Sequence, residues 1–203
     1  MMNKLSYHNM LRTVGINQKI VVVAASTGGT EAIESILKKL PADIPPILIV
    51  QHMPSGFTNF FANRLNNMYP MEIREAEDGD YLQKGLVLIA PAGKHMSLVT
   101  NGIKLMVKCF IGQKIHGVMP AADVLFESVA SLMRRNAIGV ILTGMGADGA
   151  RGLMLMHNNG AKTIGQDKKT CVVYGMPKVA FDLGALDVQV PLDRIAETIM
   201  KSL

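Results

Sequence analysis

Tryptophan is absent from the 203 residues, aromatic side chains make up 5% of them, and cysteine occurs twice. So few flat rings leave little for unpaired bases to stack on, which argues against a binder of single-stranded nucleic acid. Cys109 and Cys171 lack metal-ligand spacing, which excludes a zinc site through cysteine. The chain shows no secretory signal pattern, so reduced thiols and a cytoplasmic location are expected. No apolar run approaches the roughly 18 to 20 residues that a bilayer crossing needs, since Gly, Pro or charge cuts every hydrophobic stretch, and membrane insertion is not expected. A dominant charge is missing too. Lys and Arg number 21 against 16 Asp and Glu, for a formal charge of +5. The basic residues cluster only as pairs such as Lys38/Lys39, Arg134/Arg135 and Lys168/Lys169, so no nucleic-acid partner is expected.

What is present is apolar material for one sizeable core: 49% of the residues are hydrophobic and 18% charged. Residues 1–18 are polar and aperiodic and read as a tail or residual linker, with the folded domain spanning 19–203. From Lys19 onward, β-branched runs alternate with helical patterns. Strand is expected over 20–25, 47–51, 138–143 and 162–165, and helix over 30–40, 58–68, 123–135, 148–158 and 192–202. Near-continuous apolar runs such as Ile20-Val21-Val22-Val23 suit strands covered on both faces. In the middle, 86–90, 97–100 and 104–108 lie close together, and Asn101-Gly102 signals a hairpin, so an antiparallel insert is expected there. The fold class is α/β: a doubly wound, mostly parallel, Rossmann-like sheet flanked by helices, with an antiparallel hairpin extension.

In such sheets ligands gather beyond the carboxyl ends of the strands. Three of those ends carry chemistry. Ala24-Ala25-Ser26-Thr27-Gly28-Gly29 follows the first strand, Gln51-His52-Met53-Pro54 the second, and Gly144-Met145-Gly146-Ala147-Asp148-Gly149 a late one. Ser26 sits in a small-x-Ser-x-Gly turn that lifts a hydroxyl clear of the sheet. His52 can take its proton, and Asp148 can orient the imidazole and stabilise its charged form. Amides freed at the start of the next helix can hold an oxyanion. Taken singly, each residue has a plainer role: Ser26 and Thr27 suit helix capping, Asp148 suits a helix N-terminus, and His52 suits a structural hydrogen bond. The other histidines, His8, His95, His116 and His157, default to solvated or packed roles.

The late glycine loop also fits G-x-G-x-x-G between strand and helix, with Asp167 placed 23 residues after Gly144, as in a dinucleotide-binding oxidoreductase. Against that, the motif comes late in the chain and Asp148 would face a pyrophosphate. Ser26-Thr27-Gly28-Gly29-Thr30 lacks the lysine of a phosphate loop.

These segments, together with Phe57-Thr58, Arg64-Leu65, Ile89-Ala90-Pro91 with His95, Asp123-Val124-Leu125-Phe126 and Val173-Tyr174-Gly175-Met176-Pro177, make the chain resemble the catalytic domain of the chemotaxis protein-glutamate methylesterase (CheB) family from about Lys19 to Met200. The resemblance implies a serine hydrolase that demethylates glutamate γ-methyl esters on methyl-accepting chemotaxis receptors and releases methanol. It further implies glutamine deamidation in some members and a place in phosphorelay signalling. It implies no cofactor and no metal, Ser26 as nucleophile, His52 as base, Asp148 as orienting acid, and the backbone amides of Thr27 and Met145 as oxyanion donors. Ala24 and Ala92 stand where the family often has Gly, Lys168 where it often has an acid, and Cys171 where it often has Ser. Full-length members carry an N-terminal receiver domain that covers the active site. Eighteen residues cannot supply one, so an excised catalytic fragment or a standalone esterase is expected. A noncatalytic receptor-binding module is the remaining alternative.

Overall fold

The computed structural model describes residues 18–203. The expected tail over 1–18, apart from Gln18, and His8 within it lie outside the described residues. The elements in chain order are β1 (Ile20–Ala25), α1 (Gly29–Leu37), β2 (Ile47–Gln51), α2 (Phe57–Met68), β3 (Glu72–Glu75), β4 (Leu86–Ile89), β5 (His95–Thr100), β6 (Leu105–Phe110), α3 (Ala122–Met133), β7 (Ala137–Ile141), α4 (Ala150–Asn158), β8 (Lys162–Gln166), α5 (Met176–Asp182), β9 (Val188–Val190) and α6 (Leu192–Ser202).

Seven strands form one parallel sheet in the order β3-β4-β2-β1-β7-β8-β9. Alternate side chains of a strand point to opposite faces, so a run that is apolar at every position needs cover on both. In β1, Ile20, Val22 and Ala24 join a core with Leu125, Phe126 and Val129 of α3 and Leu153 and Met156 of α4. Val21, Val23 and Ala25 join the opposite core with Ile33 and Ile36 of α1, Leu65 of α2 and Ile195 and Ile199 of α6. Truncating a fully buried member such as Leu153 or Phe126 to Ala is expected to cost about 2–5 kcal/mol.

The hairpin signalled by Asn101-Gly102 is present, but β5 and β6 form a sheet of their own and do not extend the large one. Met96, Leu98, Leu105 and Val107 pack into the same core as α3. The run expected over 86–90 belongs elsewhere. β4 pairs in parallel with β2 and β3, and all four of its residues are buried, as a strand inside a parallel sheet demands.

β1 is central. Its neighbour on one side is β2 and on the other β7, so the chain leaves β1 in one direction and returns on the far side much later. That divergence opens a crevice at the carboxyl ends of β2, β1 and β7, where Ser26, His52 and Asp148 follow three adjacent strands.

Candidate active site

Backbone hydrogen bonds carry the strand ladder into the loops. The Ser26 amide donates to the Thr143 carbonyl at 3.0 Å, and the His52 amide donates to the Ala25 carbonyl at 3.1 Å. Just after Ser26 the chain turns sharply. Gly28 has φ of 77° and is the N-cap of α1, and no side chain caps that helix. Ser26 and Thr27 therefore do not cap it, and the Ser26 hydroxyl makes no hydrogen bond among the described residues. Gly144 approaches from β7 so closely that a Cβ there would lie 2.7 Å from the Ser26 Cβ. The buried Thr143 hydroxyl donates to the Thr27 carbonyl at 2.9 Å and accepts from the Val173 amide at 3.0 Å, fastening the turn to the loop before α5.

The imidazole of His52 is held from one side. Its Nε2 lies 2.8 Å from Asp148 Oδ2, with the carboxylate buried. Asp148 does not cap its own helix, since α4 has Gly149 at that position with no side-chain bond. Its carboxylate instead reaches the start of α3, taking the Ala122 amide on Oδ2 at 2.6 Å and the Asp123 amide on Oδ1 at 3.1 Å. Ala121, the N-cap of α3, has no side chain to offer, so Asp148 supplies the missing acceptor. Burial works to raise the Asp148 carboxyl. The hydrogen bonds from His52 and the two amides, together with the His52 charge, outweigh it and hold the carboxyl below its ordinary range.

Asp123 returns the favour. From the first turn of α3 its Oδ1 accepts the Gly152 amide of α4 at 2.7 Å, and its Oδ2 lies 2.8 Å from His116 Nε2. Gly152 permits this crossing, because a Cβ there would press on Phe126 and on the Asp123 backbone. Ligand atoms of His116, Asp123 and Asp148 fall within 4.8 Å of one another. All four carboxylate oxygens already receive N–H donors or imidazole, so the group is a hydrogen-bonded network and a poor cage for a cation.

A cleft of about 280 Å³ opens beside His52, lined by Met53, Pro54, Ser55, Gly93 and, from the 111–120 loop, Lys114, Gly117, Val118, Met119 and Pro120; Ser26 is not among its lining residues. Buried His95 bolts that loop down, its Nδ1 accepting the Ala121 amide at 3.1 Å and its Nε2 donating to the Gln113 carbonyl at 2.9 Å.

The structure thus brings His52 and Asp148 into contact, with Ser26 beside Gly144, but it makes no hydrogen bond between the Ser26 hydroxyl and His52. Neither the Thr27 nor the Met145 amide has a hydrogen-bond acceptor among the described residues, and both residues are exposed. Burial, followed by the Asp167 carboxylate, pushes the Cys171 thiol up to about 11, so it is no thiolate nucleophile at neutral pH. Asp167 itself accepts the Thr170 amide and hydroxyl on one oxygen at 2.9 and 2.7 Å, as a turn acid does. Together with the carboxylate of Asp148 lodged at a helix start, this leaves the dinucleotide reading unsupported.

A family model described as CheB methylesterase matches residues 21–199. The chain belongs to the CheB methylesterase family. It is 50% identical over 200 residues to the protein-glutamate methylesterase/protein-glutamine glutaminase of Bdellovibrio bacteriovorus, covering 98% of this chain and 56% of that protein. A second such enzyme, from Syntrophomonas wolfei, is 50% identical over 182 residues, with 90% and 53% covered. The chain spans about half the length of the curated relatives it matches. The crystal structure of the Thermotoga maritima CheB methylesterase catalytic domain superposes with a TM-score of 0.89 at 40% identity, covering 92% of this chain and all of that one. Among the described residues, no helix is long and apolar enough to cross a membrane.

Proposed function

We propose that residues 19–203 form the catalytic domain of a serine hydrolase that removes methyl groups from glutamate γ-methyl esters on methyl-accepting chemotaxis receptors in the cytoplasm. The observation that carries this reading is the 2.8 Å His52–Asp148 contact at the end of β2, next to a turn that presents an unengaged serine hydroxyl at the end of β1. Nε2 of His52 is occupied by Asp148, so Nδ1 is the nitrogen left to take the Ser26 proton. The Ser26 oxygen attacks the ester carbonyl, and the C=O becomes a tetrahedral oxyanion facing the unpaired amides of Thr27 and Met145. Collapse breaks the bond to the methoxy group, His52 returns the proton, and methanol leaves. Water, deprotonated by the same imidazole, then releases the glutamate. A glutamine side chain passes through the same acyl-enzyme with ammonia as leaving group, so receptor deamidation belongs to the same proposal. No cofactor or metal takes part. The receiver domain implied by the family resemblance is proposed as the partner that covers the cleft.

The test is methanol release from methylated receptor, with Ser26→Ala and His52→Ala as folded controls. Wild-type rates in either variant would overturn the assignment. Receptor binding by wild type without methanol release would instead favour a noncatalytic module.

A further inference from the structure

The hydroxyl and the imidazole come from different strands and share no hydrogen bond, so something else must set their approach. Gln51 lies beneath them. The last residue of β2 and 3% exposed, it turns its side chain back under the turn. Its Nε2 donates to the Ser26 carbonyl at 3.0 Å and to the His52 carbonyl at 3.0 Å. An amide nitrogen has two hydrogens, and both go to the main chain of these two residues.

The other end of that amide is unsatisfied. Gln51 Oε1 is the buried side-chain polar atom that finds no partner among the described residues. It sits against Gly29, where any Cβ would collide with it and where no donor is offered. A buried glutamine can do better in this fold. Gln166, equally enclosed at the end of β8, accepts the Thr143 amide on Oε1 at 2.8 Å and donates from Nε2 to the Thr170 carbonyl at 2.8 Å. An orphaned acceptor is unfavourable, and methionine fills a similar volume without one. Relative to methionine, what glutamine adds at position 51 is the two donated hydrogen bonds.

We propose that Gln51 is a positioning residue whose amide straps the main chains of Ser26 and His52 together and so sets the approach of hydroxyl to imidazole. The proposal rests on the serine-hydrolase reading above. Each of the two residues is also tied to its surroundings singly, Ser26 through its carbonyl to the Gly29 amide at 2.8 Å and His52 through its amide to Ala25. The Gln51 side chain contacts both at once.

The experiment compares wild type, Gln51→Met and Gln51→Glu in three readouts: kcat and KM for methanol release from methylated receptor, the rate at which a fluorophosphonate reagent labels Ser26, and thermal unfolding. Gln51→Met should lower kcat about 10- to 100-fold, as small misplacements of reacting groups do, with KM changed less than about twofold and labelling slowed in parallel. In Gln51→Glu a neutral carboxyl still donates one hydrogen bond, whereas an ionised one faces two carbonyl oxygens. The rate of this variant relative to wild type should therefore rise as pH falls. A flat ratio would show that the donated hydrogen bond does not bear on the rate. If Gln51→Met fails to fold, the pH dependence of the Gln51→Glu ratio decides. Folded variants with kcat and labelling within twofold of wild type, a deficit confined to KM, or a flat ratio would overturn the proposal. Wild type that labels at Ser26 but releases no methanol rejects the methylesterase reading and leaves the labelling rates to judge Gln51. Wild type inert in both assays overturns both.

Discussion

Two histidine–aspartate pairs lie within a few residues of each other, and by distance alone they are the same: His52–Asp148 and His116–Asp123 both meet at 2.8 Å through Nε2 and Oδ2. Their surroundings separate them. The His52 side chain is 13% exposed and stands at a strand end beside an unengaged serine, while that of His116 is 37% exposed on the 111–120 loop. Asp148 takes two amides from another helix. Asp123 takes one, from α4. The length of the imidazole–carboxylate bond therefore does not separate the pair proposed as catalytic from the other; the neighbouring serine and the strand that presents it do.

That contrast can be broken by mutation. The largest effect is expected for Ser26→Ala and His52→Ala, each lowering methanol release on the order of 10³-fold or more, with the double variant little worse than either. Asp148→Asn should follow with a loss of about 10²- to 10⁴-fold, smaller than the loss for either partner in side-by-side assays. Asp123→Ala leaves the Gly152 amide and His116 without their acceptor. It should destabilise the fold by about 1–3 kcal/mol in denaturant titration while costing less than about tenfold in kcat. His116→Ala should change kcat by less than about threefold, and a loss matching that of His52→Ala would erase the distinction between the pairs. The smallest effect is on acid stability. The Asp148 carboxyl lies below its ordinary value in the folded chain, so the unfolded chain binds the proton first as pH falls. Its contribution is complete above the unfolded value of about 4 and is lost as pH drops through the lower folded value. Unfolding followed by circular dichroism below about pH 4 should show a steeper loss for wild type than for Asp148→Asn.

Where the sequence carried a dense local signal, the fold was legible. β1, β2 and the start of β8 are β-branched runs, and α6 falls over the expected 192–202. Three elements escaped. β3 reads Glu-Ile-Arg-Glu and lies at the sheet edge, where charge is tolerated. β9 has three half-buried residues at the other edge, and α5 is seven residues long with proline in its first turn. Such short, weakly patterned segments form because neighbours hold them. The grouping of 86–90 with the hairpin failed because nearness along the chain says little about which strand pairs with which. At the candidate site, the adjacency of the loops that carry Ser26, His52 and Asp148 was legible because a doubly wound sheet makes strand ends special. The strap from Gln51 and the crossing of Asp123 with Gly152 were not. Both depend on side chains reaching backbone groups of other elements, for which spacing along a sequence carries no sign.

The exchange of carboxylates between the starts of α3 and α4 gives Asp148 two obligations, one to the imidazole and one to the end of a helix that has no cap of its own. Ser26 has no such second duty, since its hydroxyl supports nothing else. Among relatives of this fold that lose the proposed hydrolysis, the serine should therefore drift first, while the aspartate should persist as the acceptor at the start of α3.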